Sequence, residues 1–105
     1  MGCRVRSSKL LSIWPLDRDT ITNSAKKTGS VVSIETGWPQ CGIGPEIAVV
    51  FMEMDAFNYL DAPMERVTGA DIPMSYATVL DDVVLPQVDD VEASIERTTY
   101  RKMAA

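Results

Sequence analysis

The chain reads as an α/β layered domain with a parallel pair of strands at its centre, and three observations predict it. Val31 to Ile34 is a short β-branched run, followed by a loop rich in glycine, tryptophan and proline. Ile43, Ile47, Val50, Met54 and Phe57 then recur at spacings of four, three, four and three, one apolar stripe along a helix. Met64 to Thr68 supplies a second short strand. Strand, helix and strand in that order make a crossover unit, which leaves the two strands parallel.

Residues 1–12 form a poorly defined start. Val5, Leu10 and Leu11 suit a strand, but Arg4, Arg6, Ser7, Ser8 and Lys9 break any two-residue alternation. Ile13-Trp14-Pro15-Leu16 leads into a short helix with Asp17 as its N-cap and Asp19 in its first turn. Lys26-Lys27 and then Gly29 close that helix, cations suiting its negative end. The run Val31–Ile34 is apolar enough for an interior strand. For the central helix, Gly44 is the expected cap, Pro45 fits the first turn and Glu46 complements the positive end. Asp61-Ala62-Pro63 ends it. Phe51, Met52 and Tyr59 fall off the stripe, so this helix is expected to be covered on two sides, by sheet and helix or by a neighbouring subunit. Gly69 opens a loop through Pro73, and Tyr76 to Leu80 gives one helical turn or two. Beyond Pro86, Val88, Val91 and Ile95 share one face of a final helix to about Tyr100.

At 105 residues the sequence holds one domain, 1–105, with a modest core. Its formal charge of -5 is uneven. Residues 1–27 carry six cations against Asp17 and Asp19, a net +4, which leaves -9 for the remainder. So acidic a body argues against nucleic-acid binding, which needs clustered cations. It suits solubility or a basic protein partner. Cys3 and Cys41 stand far apart and histidine is absent, which removes the usual zinc spacings and any Ser-His or Cys-His nucleophile. The same cysteine usage fits a reducing compartment. No apolar run reaches membrane-spanning length, so no membrane partner is expected. Met1-Gly2-Cys3 lacks the Ser or Thr that myristoylation wants where Arg6 stands.

Few residues invite chemistry. Gly42-x-Gly44 lacks the third glycine of a dinucleotide fingerprint, since Ile47 occupies it, and helix entry is the better reading. Glu35, at the C-terminal end of a parallel strand, is read as a hydrogen-bond acceptor for the glycine-rich loop rather than a base. Asp71 is read as a turn residue. Asp81-Asp82 and Asp89-Asp90 lack the alternating oxygens and glycine of a calcium loop. Trp38 beside Pro39 is either a packing anchor or a contact residue of an oligomer.

The segments Gly37-Trp38-Pro39-Gln40, Gly42-Ile43-Gly44-Pro45-Glu46-Ile47, Leu60-Asp61-Ala62-Pro63 and Arg66-Val67-Thr68-Gly69-Ala70-Asp71 together resemble the C-terminal domain of pyruvate dehydrogenase beta subunits. The resemblance runs from about Ile13 to Tyr100. It implies a three-layer α/β/α fold with a mostly parallel sheet, of the transketolase C-terminal type, lacking the family's first strands and helix. It also implies a role: the C-terminal part of the beta subunit of the decarboxylating component, serving conversion of pyruvate to acetyl-CoA and CO2. The partners implied are the alpha subunit, a second beta subunit and the subunit-binding domain of dihydrolipoyl acetyltransferase. Thiamine diphosphate and magnesium belong to the full enzyme and are not expected on this chain. No catalytic, cofactor-binding or metal residue is expected here either, so the chain alone is not expected to be catalytic. Asp61 matches an aspartate of that family's docking surface, and Trp38 is the second expected docking residue. The compartment implied is a bacterial cytoplasm or a mitochondrial matrix. Trp14 stands where the family has arginine, Thr36 where it has glycine or an acid, and Ser75 where it has proline. A free-standing, non-catalytic binding module and a truncated product without function are the alternatives.

Overall fold

The computed structural model describes residues 5–73 and 76–99. Expectations resting on Met1-Gly2-Cys3, Ser75, Tyr100 or the tail beyond it lie outside those residues. Four helices and two strands follow in order: α1 (Arg18–Thr28), β1 (Val32–Ile34), α2 (Ile43–Glu53), β2 (Glu65–Val67), α3 (Thr78–Val84) and α4 (Val88–Thr99). A 3-10 helix, Asp55–Tyr59, lies between α2 and β2. No helix among the described residues is long and apolar enough to cross a membrane.

The α/β class holds. β1 and β2 pair in parallel with Val32 opposite Glu65 and Ile34 opposite Val67. Glu35 N–H donates to Val67 O at 2.9 Å and Glu65 N–H to Val31 O at 3.1 Å, carrying the ladder one step past each end. Side chains alternate across a strand. Glu65 and Val67 therefore share one face, where Arg97 of α4 meets Glu65 at 3.1 Å. Ser33, Glu35 and Arg66 share the other, against the first turn of α2. Helices thus flank both faces of a sheet that is two strands wide among the described residues. Among the described residues β1 has one strand neighbour and Ile34 is 58% exposed, so it is not there the interior strand its sequence suggests.

α1 forms as its caps dictate. The Asp17 carboxylate accepts from Thr20 N–H at 3.2 Å and from the Thr20 hydroxyl at 2.7 Å. Gly29 closes the helix at φ 75°, a left-handed conformation natural to glycine, and its N–H reaches Ala25 O at 2.8 Å. Thr22 and Ala25 are buried, and the core joins Ala25 to Ile47, Phe51 and Ala56, with Ile21, Val31, Ile43, Leu60 and Met64 around them.

α2 departs from expectation at both ends. It starts at Ile43 and not beyond a Gly44 cap, and it stops at Glu53 instead of running to Asp61. Met54 turns extended, with φ -100° and ψ 169°, and the 3-10 helix follows. Side chains from α1 hold the break. The Thr22 hydroxyl donates to Met54 Sδ at 3.2 Å, and Lys26 Nζ lies 2.6 Å from the Asp55 carboxylate. The break turns Ala56 into the core and leaves Phe57 exposed. Of the three residues off the stripe, Phe51 is buried, whereas Met52 and Tyr59 are exposed. The expected turn at Tyr76–Leu80 is α3, shifted toward the C-terminus.

The start of α2 is set by a residue eight positions upstream. Gly42 has no side chain to cap with, so the Glu35 carboxylate does the capping: one oxygen accepts from Ile43 N–H at 3.1 Å and Gly44 N–H at 3.2 Å. A Cβ at Gly42 would sit 2.8 Å from both carboxylate oxygens, so glycine is required there by contact. We expect Glu35→Ala to leave two buried-end donors unpartnered and cost about 1–2 kcal/mol. On a domain of this size that lowers the melting temperature by roughly 4–16 °C. Glu35→Gln keeps an acceptor and should lose less. Thermal melts followed by circular dichroism decide it, and an unchanged Glu35→Ala melting point would refute the cap.

Hydrogen bonds from Thr20 hold Asp17 below its ordinary 3.8, and the bond from Lys26 does the same for Asp55. Both carboxyls are depressed in the folded state, so their stabilisation is present above 3.8 and disappears as pH falls through the lower folded values. Melting temperature measured between about pH 5 and pH 2 should fall less steeply for the Asp17→Asn, Asp55→Asn pair than for the parent. Parallel slopes would count against both bonds.

Candidate docking surface

The loops that leave the C-terminal ends of β1 and β2 are laced together by backbone. Gly69 N–H donates to Gly37 O at 2.9 Å, and a Cβ on Gly69 would lie 2.5 Å from Thr36 O, so this approach is open only to glycine. Ala70 N–H donates to Val84 O at 2.8 Å, which ties the second loop to α3. Arg66 reaches back over the first loop, its Nη1 donating to Pro39 O at 2.7 Å.

Trp38 sits on this platform. Its indole N–H donates to Ile72 O at 2.9 Å, and the ring is 55% exposed. Of the two readings left open by the sequence, the nitrogen fits the packing anchor, tying one loop to the other, while the ring is left exposed. Beside it lies a shallow cleft of about 340 Å³ lined by Thr36, Gly37, Trp38, Ala70, Ile72 and Val84. Tyr76, Val79 and Val83 are exposed nearby in sequence on α3 and its approach. Nothing in the periodicity of that short segment distinguishes an open apolar face from a buried one.

Asp61 is placed differently. Its N–H donates to Gly29 O at 2.7 Å, joining the approach to β2 with the exit from α1. The carboxylate stands so close over the Gly29 Cα that no side chain fits there. It is exposed and takes no hydrogen bond or ion pair among the described residues. Lys26, 5.4 Å above the Tyr59 ring, is spent on Asp55. Gly29 and Asp61 precede the two strands, whereas Trp38 and Ile72 follow them. Because the strands are parallel, Asp61 and Trp38 lie at opposite ends of the sheet. The structure keeps the two expected docking residues apart.

The donor set does not fit a diphosphate–magnesium group. Among the described residues no three His, Cys, Asp or Glu side chains converge as metal ligands. The N–H groups of Ile43 and Gly44, the natural phosphate donors of a glycine-rich helix start, are already taken by Glu35. Glu35 thus acts as the loop acceptor read from the sequence. Cys41 is free and exposed.

The chain matches the family model of the transketolase C-terminal domain over residues 2–91. It is 52% identical over 97 residues to the mitochondrial pyruvate dehydrogenase E1 component subunit beta of Bos taurus, covering 92% of this chain and 27% of that protein. The subunit beta-1 protein of Oryza sativa subsp. japonica is 50% identical over 100 residues, 95% of this chain and 26% of its own length. The mitochondrial subunit beta of Dictyostelium discoideum is 48% identical over 100 residues, 95% of this chain and 28% of its own length. The chain spans about a quarter of the length of these relatives. With the parallel pair, the flanking helices and the two laced loops in place, the chain belongs to the transketolase C-terminal domain family, in the form carried by pyruvate dehydrogenase beta subunits.

Proposed function

We propose that this chain serves subunit assembly and docking within a pyruvate dehydrogenase E1 component, and performs no chemistry of its own. Its identity of 52% to a beta subunit over 92% of the chain is the observation that carries the reading. Conversion of pyruvate to acetyl-CoA and CO2, with thiamine diphosphate and magnesium, is the activity of the assembled enzyme. The alpha subunit is its first partner, a second beta subunit its next, and the subunit-binding domain of dihydrolipoyl acetyltransferase its third. The mitochondrial names of the relatives favour the matrix as its compartment.

Two contacts divide this work. Asp61 offers an exposed carboxylate, unpaired among the described residues and suited to an arginine or lysine of the subunit-binding domain. The Trp38 ring with the adjoining apolar cleft offers a hydrophobic anchor point, suited to subunit contact.

Binding of the purified chain to the isolated subunit-binding domain and to the alpha subunit tests both. Asp61→Ala should weaken the first about tenfold or more and leave the second unchanged, and Trp38→Ala should do the reverse, as expected for central interface residues. Calorimetric titration of each pair reads the result. Failure of the parent chain to bind either protein would remove the docking role altogether.

A further inference from the structure

We infer that Arg66 is the positioning residue of the Trp38 contact: its guanidinium, bonded to Pro39 O, fixes the ring in the orientation in which it docks. The inference rests on the subunit-contact role proposed above for Trp38. Three consecutive residues of the first loop are gripped from β2 and the loop that follows it. Gly69 N–H donates to Gly37 O at 2.9 Å, Ile72 O accepts from the Trp38 indole N–H at 2.9 Å, and Arg66 Nη1 donates to Pro39 O at 2.7 Å. Gly69 and Ile72 grip with backbone groups. Arg66 grips with its side chain, so it is the hold that a substitution removes without altering the path of the chain.

The loop does not keep this path by its own preference. Pro39 has no N–H to bond with. Cys41, two residues on, sits at φ 59°, a left-handed conformation that a residue with a side chain adopts at a cost. Such a conformation persists where its surroundings fix it. Here Glu35 fixes one side, at the start of α2, and Arg66 fixes the other, at Pro39. The arginine stem has a prepared route. Arg66 stands opposite Ser33 in the ladder, and its Cδ lies 3.3 Å from the place a Cβ on Gly44 would take. A side chain at Gly44 would press on the stem, so the bare first turn of α2 lets it cross. The bond it makes is charge-assisted, stronger than the neutral bond of the indole. A ring already oriented loses little freedom when a partner closes on it, which is the gain from preorganisation.

Fluorescence of Trp38 in the free 105-residue chain tests this, in a Trp14→Phe background that leaves one tryptophan. Trp14 is 94% exposed, so its replacement leaves the fold alone. Arg66 is exposed too, and Arg66→Met keeps most of the stem while removing the donor. Trp38 emission of that variant should move to longer wavelength. Its quenching by acrylamide should rise roughly twofold as the ring passes from 55% exposed to open. Arg18→Met removes another exposed arginine, paired with Glu53 at the far end of α2, and should leave both signals as in the parent. Calorimetric titration with the alpha subunit should show Arg66→Met binding about tenfold more weakly, because fewer chains hold the ring in place. Unchanged emission and quenching in Arg66→Met overturn the inference, as does an equal change in Arg18→Met. So does full-strength binding of the alpha subunit by a variant whose Trp38 has been released. The fluorescence needs no partner: a parent chain that fails to bind the alpha subunit removes the docking role, and the emission still decides what Arg66 does for Trp38.

Discussion

One carboxylate fixes the geometry on which the remaining parts depend. Glu35 leaves the end of β1 and closes the start of α2, so the strand and the helix are joined by a bond as well as by eight residues of loop. A shorter acid would not span that distance, and a side chain at Gly42 would displace the carboxylate. With the start of α2 set, Ile47, Val50 and Phe51 fall toward the interior, and the core can form. One oxygen of Glu35 and the Ser33 hydroxyl nearby are buried without protein partners, so this polar seam is also the least satisfied part of the interior.

The core itself is slight. Its buried apolar members are mostly alanine, valine and isoleucine, with Phe51 as the large exception. Polar edge contacts complete the work. Arg18 to Glu53, Thr22 to Met54 and Lys26 to Asp55 bind α1 to the junction where α2 ends and the 3-10 helix begins. Exposed ion pairs of this kind contribute little each. Their value here is directional: they locate the point at which one helix ends and a tighter one begins.

Much of this was legible in the sequence. The Asp17 cap, the Gly29 stop, the two short strands and the span of α4 all announce themselves by spacing or by residue type, because each depends on neighbours in the chain. The side α4 buries does not, for it buries Ser94 and Thr98 and leaves Val88 71% exposed. The α2 break was not legible. Apolar periodicity continues smoothly through Met54 to Phe57, and the residues that interrupt it, Thr22 and Lys26, are supplied by α1. The cap of α2 was half legible. Glu35 could be assigned to the glycine-rich loop, but which of its N–H groups it served depended on the path of a loop with no periodic signal. The exposure of Ile34 was likewise hidden, since a β-branched strand reads the same with one neighbour or two.

The parallel direction of the strands has a mechanical result. A hairpin would bring the segments before one strand and after the other to the same side, and a single partner could then grip both. Here Asp61 and Trp38 lie at opposite ends, with the sheet between them as a short strut. Under the docking role proposed above, a domain engaged at both ends would act as a spacer, setting the separation of two bodies and holding neither in a clamp.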